Sequence, residues 1–454
     1  MRNNLHSALL VAAFCISAST EVALSEIRPA DPTLAKFHVS RAPRPMRGQI
    51  RSGDRLAICG DSITEQKMYS RFVEDYLTMC VPELDATVRQ YGWSGERAPG
   101  FLQRMTNDCL RFQPTLATTC YGMNDHEYRP YEPRIGETYR ANSLAVVRAF
   151  KAHGARVVQG SPGCVGKMPS WVKSASGTVE DLNLNLCNLR NLGVEIARQE
   201  KLGFADVFWP MMLAGSEGRQ RYGTNFLIAG NDGVHPGWAG QAIMAYAFLK
   251  SFGLDCNIAT LTVDLKRHTL KATAGHELVS AANGEFTIRS ERYPFCACSV
   301  GFAAKAINPT YPDCNLAAGK ETDSLRAALA LTKFDDELNR FLLVVKNARA
   351  ANYTVTWGAE TKTFTSSQLR KGINLAAEFP ANPFTEAFAR VDAAVAAKQA
   401  YETKQIKQIF HGEEGKRDMA AAAERTEKER EPLATAIKSA FVPVTHTLRI
   451  AEVK

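Results

Sequence analysis

Between residues 53 and 255, short apolar runs alternate five times with longer stretches of helical periodicity, and this alternation constrains the fold more than any other feature. Strand-length runs lie at 55–59, 87–91, 115–121, 155–160 and 204–208. Helical patterns follow at 65–79, 98–110, 137–153, 179–200 and 237–251. Their inner faces are marked by Met68, Phe72 and Leu77, then Phe101, Leu102 and Met105, then Leu144, Val147 and Phe150, then Leu182, Leu186, Leu189 and Ile196. Five strand–helix units of this spacing predict a parallel sheet with helices on both faces.

The chain has 454 residues, enough for two or three domains. Its 45% hydrophobic and 22% charged residues are those of a soluble globular protein. The net charge of +8 is not gathered into a Lys/Arg block, so no nucleic-acid partner is expected. Residues 1–25 read as an export signal, which predicts a periplasmic or extracellular protein. Met1-Arg2 is the basic start, residues 9–17 the apolar core, and Ala23-Leu24-Ser25 the small residues before cleavage at Glu26. The apolar run is too short to span a bilayer, and no later segment reaches transmembrane length. Phe14 stands where lipid attachment at Cys15 needs a small residue, so no lipid anchor is expected.

Eleven cysteines in an exported chain favour some disulfides. Cys296, Cys298 and Cys314 are near enough in sequence to suggest zinc, but no histidine lies between Cys296 and Cys314. A disulfide or burial is therefore expected there, and no metal. Residues 26–52 carry Pro29, Pro32, Pro43 and Pro45 with five arginines, the composition of a linker or strap.

After residue 255 the period shortens. Alternating runs at 259–265, 269–273, 277–280, 285–289, 341–346, 353–357 and 361–365, with a turn at Asn283-Gly284, predict a small antiparallel β-sandwich over 256–380. A Cys-containing loop and a helical piece interrupt it around 296–335. Residues 381–454 turn helical, with Phe384, Phe388, Val391 and Val395 on one face and Ile406, Ile409 and Phe410 beyond them. A charge-dense stretch at 412–431 and a strand at 444–453 close the chain. Return of that strand to the sandwich would make the helices an excursion from it.

The residue types that carry chemistry lie at the predicted strand ends, where parallel sheets build their sites. Gly60-Asp61-Ser62 follows the first strand. A serine hydroxyl needs a base to take its proton, and the base needs an orienting partner. Asp232-Gly233-Val234-His235 supplies both at a spacing that lets the carboxylate reach Nδ1 and leaves Nε2 for the serine. His126 is the rival base, with Asp125 adjacent. Gly95, after the second strand, and Asn124, in Gly122-Met123-Asn124 after the third, are candidate donors to an oxyanion.

Gly60-Asp61-Ser62, Gly95, Gly122-x-Asn124 and Asp232-x-x-His235 resemble, in order and spacing, the four blocks of the SGNH hydrolase superfamily, the GDSL esterases and lipases. The resemblance covers 53–255. It implies a flavodoxin-like three-layer α/β/α sandwich with a five-stranded parallel sheet. It further implies Ser62 as nucleophile, His235 as base, Asp232 as its partner, and an oxyanion hole of the Ser62 and Gly95 N–H groups with the Asn124 side chain. Such an enzyme forms an acyl-serine and needs neither metal nor organic cofactor. Ile63 stands where the family name has leucine, and Tyr91 and Trp93 depart from the usual neighbours of Gly95.

The substrate is read from the rim. The loop after Asn124, His126-Glu127-Tyr128-Arg129-Pro130-Tyr131, is polar and aromatic, and a lipase would carry a more apolar rim. Tyr128, Arg129 and Trp93 are candidate substrate-binding residues, while Trp93, Trp171 and Trp238 are each open to packing or binding roles. With export, these features predict an esterase acting on acylated carbohydrate, acetylated carbohydrate included. A lipase or thioesterase with the same triad is the first alternative, and a carbohydrate-binding protein with a vestigial hydrolase domain the second. The sandwich is expected to be a structural appendage.

Overall fold

Leu56, Ala57, Ile58 and Cys59 are buried at successive positions, so both faces of their strand are covered, as a strand in the middle of a parallel α/β sheet requires. The computed structural model describes residues 25–255, 257–296 and 325–453. Most of the expected export signal, Cys15, and the zinc candidates Cys298 and Cys314 lie outside the described residues. The chain divides into two compact units at Arg41/Ala42. In the first, Glu26–Ile27 pairs antiparallel with Val39–Ser40, and Asp31 caps a short turn of helix at Pro32–Leu34.

In the second unit, β1 (Arg55–Gly60), β2 (Thr87–Gly92), β3 (Leu116–Cys120), β4 (Arg156–Gly160) and β5 (Gly203–Ala205) form one parallel sheet in the order 2-1-3-4-5. That is the flavodoxin-like order. Short helix α1 (Ser62–Glu65) and α2 (Tyr69–Asp75) follow β1. Then come α3 (Ala98–Asp108), α4 (Pro133–Ala152), α5 (Val179–Glu200), α6 (Phe208–Tyr222) and α7 (Trp238–Ser251). The single helix expected over 65–79 is broken, because Lys67 takes a left-handed conformation at φ 57° and separates α1 from α2. Helix α7 is buried on nearly every face. The sheet covers one side and helix Leu325–Ala330 packs against another, which suits a helix apolar all round.

The remaining chain forms two further sheets. One orders β8 (His276–Ala282), β9 (Glu285–Ser290), β14 (Val444–Glu452), β11 (Asn352–Trp357) and β12 (Glu360–Thr365). The other orders β13 (Ile373–Asn374), β10 (Arg340–Lys346), β6 (Asn257–Asp264) and β7 (Thr269–Ala272). The terminal strand β14 lies inside the first sheet, between β9 and β11. The sandwich is not wholly antiparallel as expected: β6 and β10 pair in parallel. A long crossover separates these two strands in sequence, which parallel pairing needs.

Between β13 and β14 the chain leaves the sandwich as an arm. Its long helices are α8 (Thr385–Lys404), which runs into a π-helical stretch at Gln405–Phe410, and α9 (Met419–Ala440). The arm covers β2, an edge strand of the parallel sheet, with side chains rather than with another strand. Lys398 Nζ donates to Val88 O at 2.6 Å, and Glu402 Oε2 accepts the Gln90 N–H at 3.2 Å. Exposed edges template aggregation, so capping this one with charged side chains is a protective arrangement. Phe72, Tyr76, Phe295, Phe334 and Phe388 form one aromatic cluster joining α2, the sandwich and the arm. Cys59, Cys80, Cys109, Cys120, Cys164 and Cys296 are buried and unbridged, so these six do not form the disulfides that export favoured.

The sandwich core holds a directed hydrogen-bond chain. Trp357 Nε1–H donates to His446 Nδ1 at 3.1 Å, and His446 Nε2 meets Ser290 Oγ at 2.9 Å. Ser290 Oγ meets His276 Nδ1 at 2.8 Å, and His276 Nε2 meets the Ile258 carbonyl at 2.9 Å. An indole only donates and a carbonyl only accepts, so the direction fixes both imidazoles as neutral Nε2–H tautomers. Burial pushes His446 down to about 3 and lowers His276 as well. Between a free-histidine pKa of about 6.5 and that value, the unfolded chain binds protons the folded one refuses. Stability should therefore fall as pH falls from about 6.5 toward 3. Melting midpoints measured from pH 7 to 4 should decline more steeply for the native protein than for His446→Gln, which keeps an acceptor for Trp357. Equal slopes would contradict the assignment.

Candidate active site

Ser62 is the first residue of α1, directly beyond the carboxyl end of β1. Asp61 caps that helix, its Oδ1 accepting the Ile63 N–H at 3.0 Å. Burial pushes the Asp61 carboxyl up to about 7, and it pushes Asp125 up to about 6. Ser62 Oγ lies 2.8 Å from His235 Nε2, and His235 Nδ1 lies 2.7 Å from Asp232 Oδ2. The other oxygen of Asp232 accepts the Val234 and His235 N–H groups at 2.9 and 2.8 Å. Partial burial works to raise the Asp232 carboxyl, but these donors and the His235 ring outweigh it and hold the group below the usual carboxylate range. A carboxylate facing Nδ1 keeps the proton there and leaves Nε2 free to accept one from serine. His126, the rival base, is buried with Nδ1–H donated to the Met123 carbonyl, and burial pushes it down to about 4.

Gly95 sits in a tight turn. Trp93 N–H donates to Gly60 O at 3.0 Å, and Glu96 N–H closes the turn on Trp93 O at 3.1 Å. Gly95, third in that turn, has φ +74°, the type II geometry that demands glycine. Space around it is open, so conformation rather than crowding dictates the residue. Among the described residues its N–H has no acceptor. Asn124 Nδ2 donates to Glu96 O at 3.0 Å, which ties the third block to this turn and leaves the second amide hydrogen available. Asp125 bridges the same two segments, accepting from Ala98 N and Gly122 N at 3.0 and 2.9 Å.

The rim differs from its sequence reading. Tyr128 is buried and offers no open face. Its hydroxyl donates to Asn124 Oδ1 at 3.0 Å, so it orients Asn124 instead. Glu127 and Tyr128 are both left-handed, at φ 55° and 54°, a strained pair for non-glycine residues. Glu127 is gripped by Arg97 and Arg134, with Arg129 nearby at 3.6 Å. Trp93 is half-buried among His411, Arg104 and Lys407. Trp238 is only 2% exposed and packs on Phe72. Trp171 is different: it is 47% exposed, with its ring 5.8 Å from that of His235. Two neighbours of the site without a local signal in the sequence are Glu65 and Lys407, which pair across 342 residues.

A 2-1-3-4-5 parallel sheet with a serine–histidine–aspartate chain beyond its carboxyl ends defines the class as a carboxylic ester hydrolase of three-layer α/β/α type. Residues 58–243 match the GDSL-like lipase/acylhydrolase family, and the chain carries a domain of that family. Among solved structures, a gut microbial diltiazem-metabolizing enzyme is 20% identical and shares the fold with a TM-score of 0.66, over 91% of this chain and all of that one. The acetylxylan esterase of Geobacillus stearothermophilus is 22% identical with a TM-score of 0.37, over 46% of this chain and 97% of its own. An α/β hydrolase from the metagenome of Lake Arreo, Spain, is 20% identical with a TM-score of 0.37, over 45% and 97%. No curated protein matches the sequence.

Proposed function

We propose that the protein is an exported serine esterase that removes short acyl groups, acetyl above all, from carbohydrate. The observation that carries the chemistry is the chain from Ser62 Oγ to His235 Nε2 at 2.8 Å and from His235 Nδ1 to Asp232 at 2.7 Å. Ser62 Oγ attacks the ester carbonyl as its proton passes to His235 Nε2. Asp232 holds the ring and balances the imidazolium. The N–H groups of Ser62 and Gly95 and the free amide hydrogen of Asn124 receive the oxyanion. Collapse expels the alcohol, which takes the proton from His235. Water, deprotonated by the same histidine, then releases the acid and restores Ser62.

Support for a sugar substrate comes from Trp171. An indole face standing open beside the base is where a sugar ring on the leaving-group side can stack. Support for export is the pattern of residues 1–25. Trp171→Ala should lower kcat/KM on an acetylated oligosaccharide about tenfold, the loss of roughly 1–1.5 kcal/mol of stacking. Ethyl acetate, which has no ring, should be hydrolysed about as before. Equal losses on both esters would remove the sugar assignment, and a native preference for octanoyl over acetyl esters would favour the lipase alternative.

A further inference from the structure

The arm reaches the catalytic face at its π-helical stretch. Lys407 Nζ bonds both oxygens of Glu65, at 2.7 and 3.0 Å. Glu65 ends the short helix that Ser62 begins, and its Oε2 accepts the Ser94 N–H at 2.5 Å. Ser94 is the residue before Gly95 in the turn described above. One carboxylate therefore joins three elements: the helix of the serine, the turn of the oxyanion donor, and the arm. Partial burial works to raise the Glu65 carboxyl, but Lys407 and the Ser94 N–H prevail and hold it below its ordinary range.

A second contact from the arm acts on the same turn. The His411 ring meets Trp93 edge-on at 4.8 Å, while its Nε2 lies 2.8 Å from Asp108 Oδ2 on α3. Lys407 Nζ and the Arg104 guanidinium lie 5.2 and 5.1 Å from the centre of the Trp93 ring. The turn is thus held at Trp93 through its side chain and at Ser94 through its backbone. The Ser94 N–H that Glu65 holds belongs to the Trp93–Ser94 peptide, the unit before the one that carries the Gly95 N–H, so loss of these holds would let the turn rotate as a whole. A rotation would carry the Gly95 N–H away from the oxyanion, and displacements of about 1 Å in a catalytic group can cost up to 10²-fold in rate.

We propose that Lys407 is a positioning residue for ester hydrolysis, acting through Glu65 to hold the Trp93–Ser94 peptide and with it the turn that presents the Gly95 N–H to the oxyanion. This rests on the esterase reading and gives the arm a catalytic duty beyond covering the sheet edge. Lys407 touches no reacting atom. Its effect should appear in transition-state stabilisation and not in ground-state binding.

The test compares the full-length protein with Lys407→Met and Lys407→Arg in p-nitrophenyl acetate hydrolysis. A boronic acid inhibitor, whose serine adduct mimics the tetrahedral intermediate, is measured in parallel. Lys407→Met should lower kcat about tenfold with KM within about twofold, and weaken the boronic acid by the same factor. Lys407→Arg, which keeps a cation on Glu65, should recover most of both. Melting midpoints of the three proteins should agree. An unchanged kcat in Lys407→Met overturns the inference, as does loss of activity that tracks a lower melting midpoint and is not rescued by arginine. If Ser62→Ala is inactive while Lys407→Met matches the native protein, only this inference fails. If hydrolysis does not depend on Ser62, the esterase reading beneath it fails as well.

Discussion

Ser62→Ala is expected to lower kcat by about 10⁴–10⁶-fold on any ester the native protein hydrolyses, with the fold intact. The alanine removes a hydroxyl bonded to His235 and leaves the cap of α1 in place, because Asp61 and not Ser62 accepts the Ile63 N–H. Nothing else in the described site is placed to replace it as a nucleophile in contact with His235. His235→Ala should be nearly as severe, since an unassisted serine is a poor nucleophile. The double variant should be little worse than either single one, because residues acting as one unit do not contribute additively. Residual activity of about 10³–10⁴-fold over water is expected from the oxyanion donors alone. Steady-state rates with p-nitrophenyl acetate would check this, and additive losses would mean that Ser62 and His235 act separately.

Lys398→Met is expected to destabilise the protein by about 3–5 kcal/mol, the usual effect of removing one partner from a buried ion pair. The Lys398 side chain is 1% exposed, and its Nζ lies 2.9 Å from Glu74 and 3.0 Å from Glu402. Methionine has similar volume, so packing is preserved and the charge alone is lost. Glu402 retains Arg430 at 2.7 Å, but Glu74 keeps only its bond from Gln399 and becomes an unbalanced buried carboxylate. The Val88 carbonyl on the sheet edge also loses its shorter donor. The melting midpoint should fall by roughly 5–10 °C, and adding Glu74→Gln should recover part of the loss. A midpoint unchanged by Lys398→Met would mean that the arm contributes little to holding this edge.

The legible parts of the sequence were those with local causes. Helix α5 begins at Val179 because Thr178 and Asp181 form a capping box, and its periodicity carries it to Glu200 as the pattern predicts. The five apolar runs could be placed as parallel strands because burial on both faces leaves few polar interruptions. Helix α6 was not legible: Gly215 and Gly218 interrupt its pattern as a loop would. Gly218 serves packing and not a turn, since a Cβ there would come within 2.3 Å of the Phe226 ring. The parallel pairing of β6 with β10 escaped notice for a similar reason, because register across a long crossover leaves no local trace. In the site, the residue types of the triad are close enough to fixed spacing to be found in sequence. The arm's contribution is not, because Lys407 and Glu65 meet only after the sandwich has returned the chain to the sheet edge.

The nucleophile is identified most directly by where a phosphonylating reagent attaches. The full-length protein, treated with a fluorophosphonate and digested, should carry one adduct, on the peptide containing Ser62, in parallel with loss of esterase activity. His235→Ala should label far more slowly, since the same proton transfer activates the serine toward phosphorus. An adduct on another residue, or full inactivation with Ser62 unmodified, would contradict the claim that Ser62 is the nucleophile.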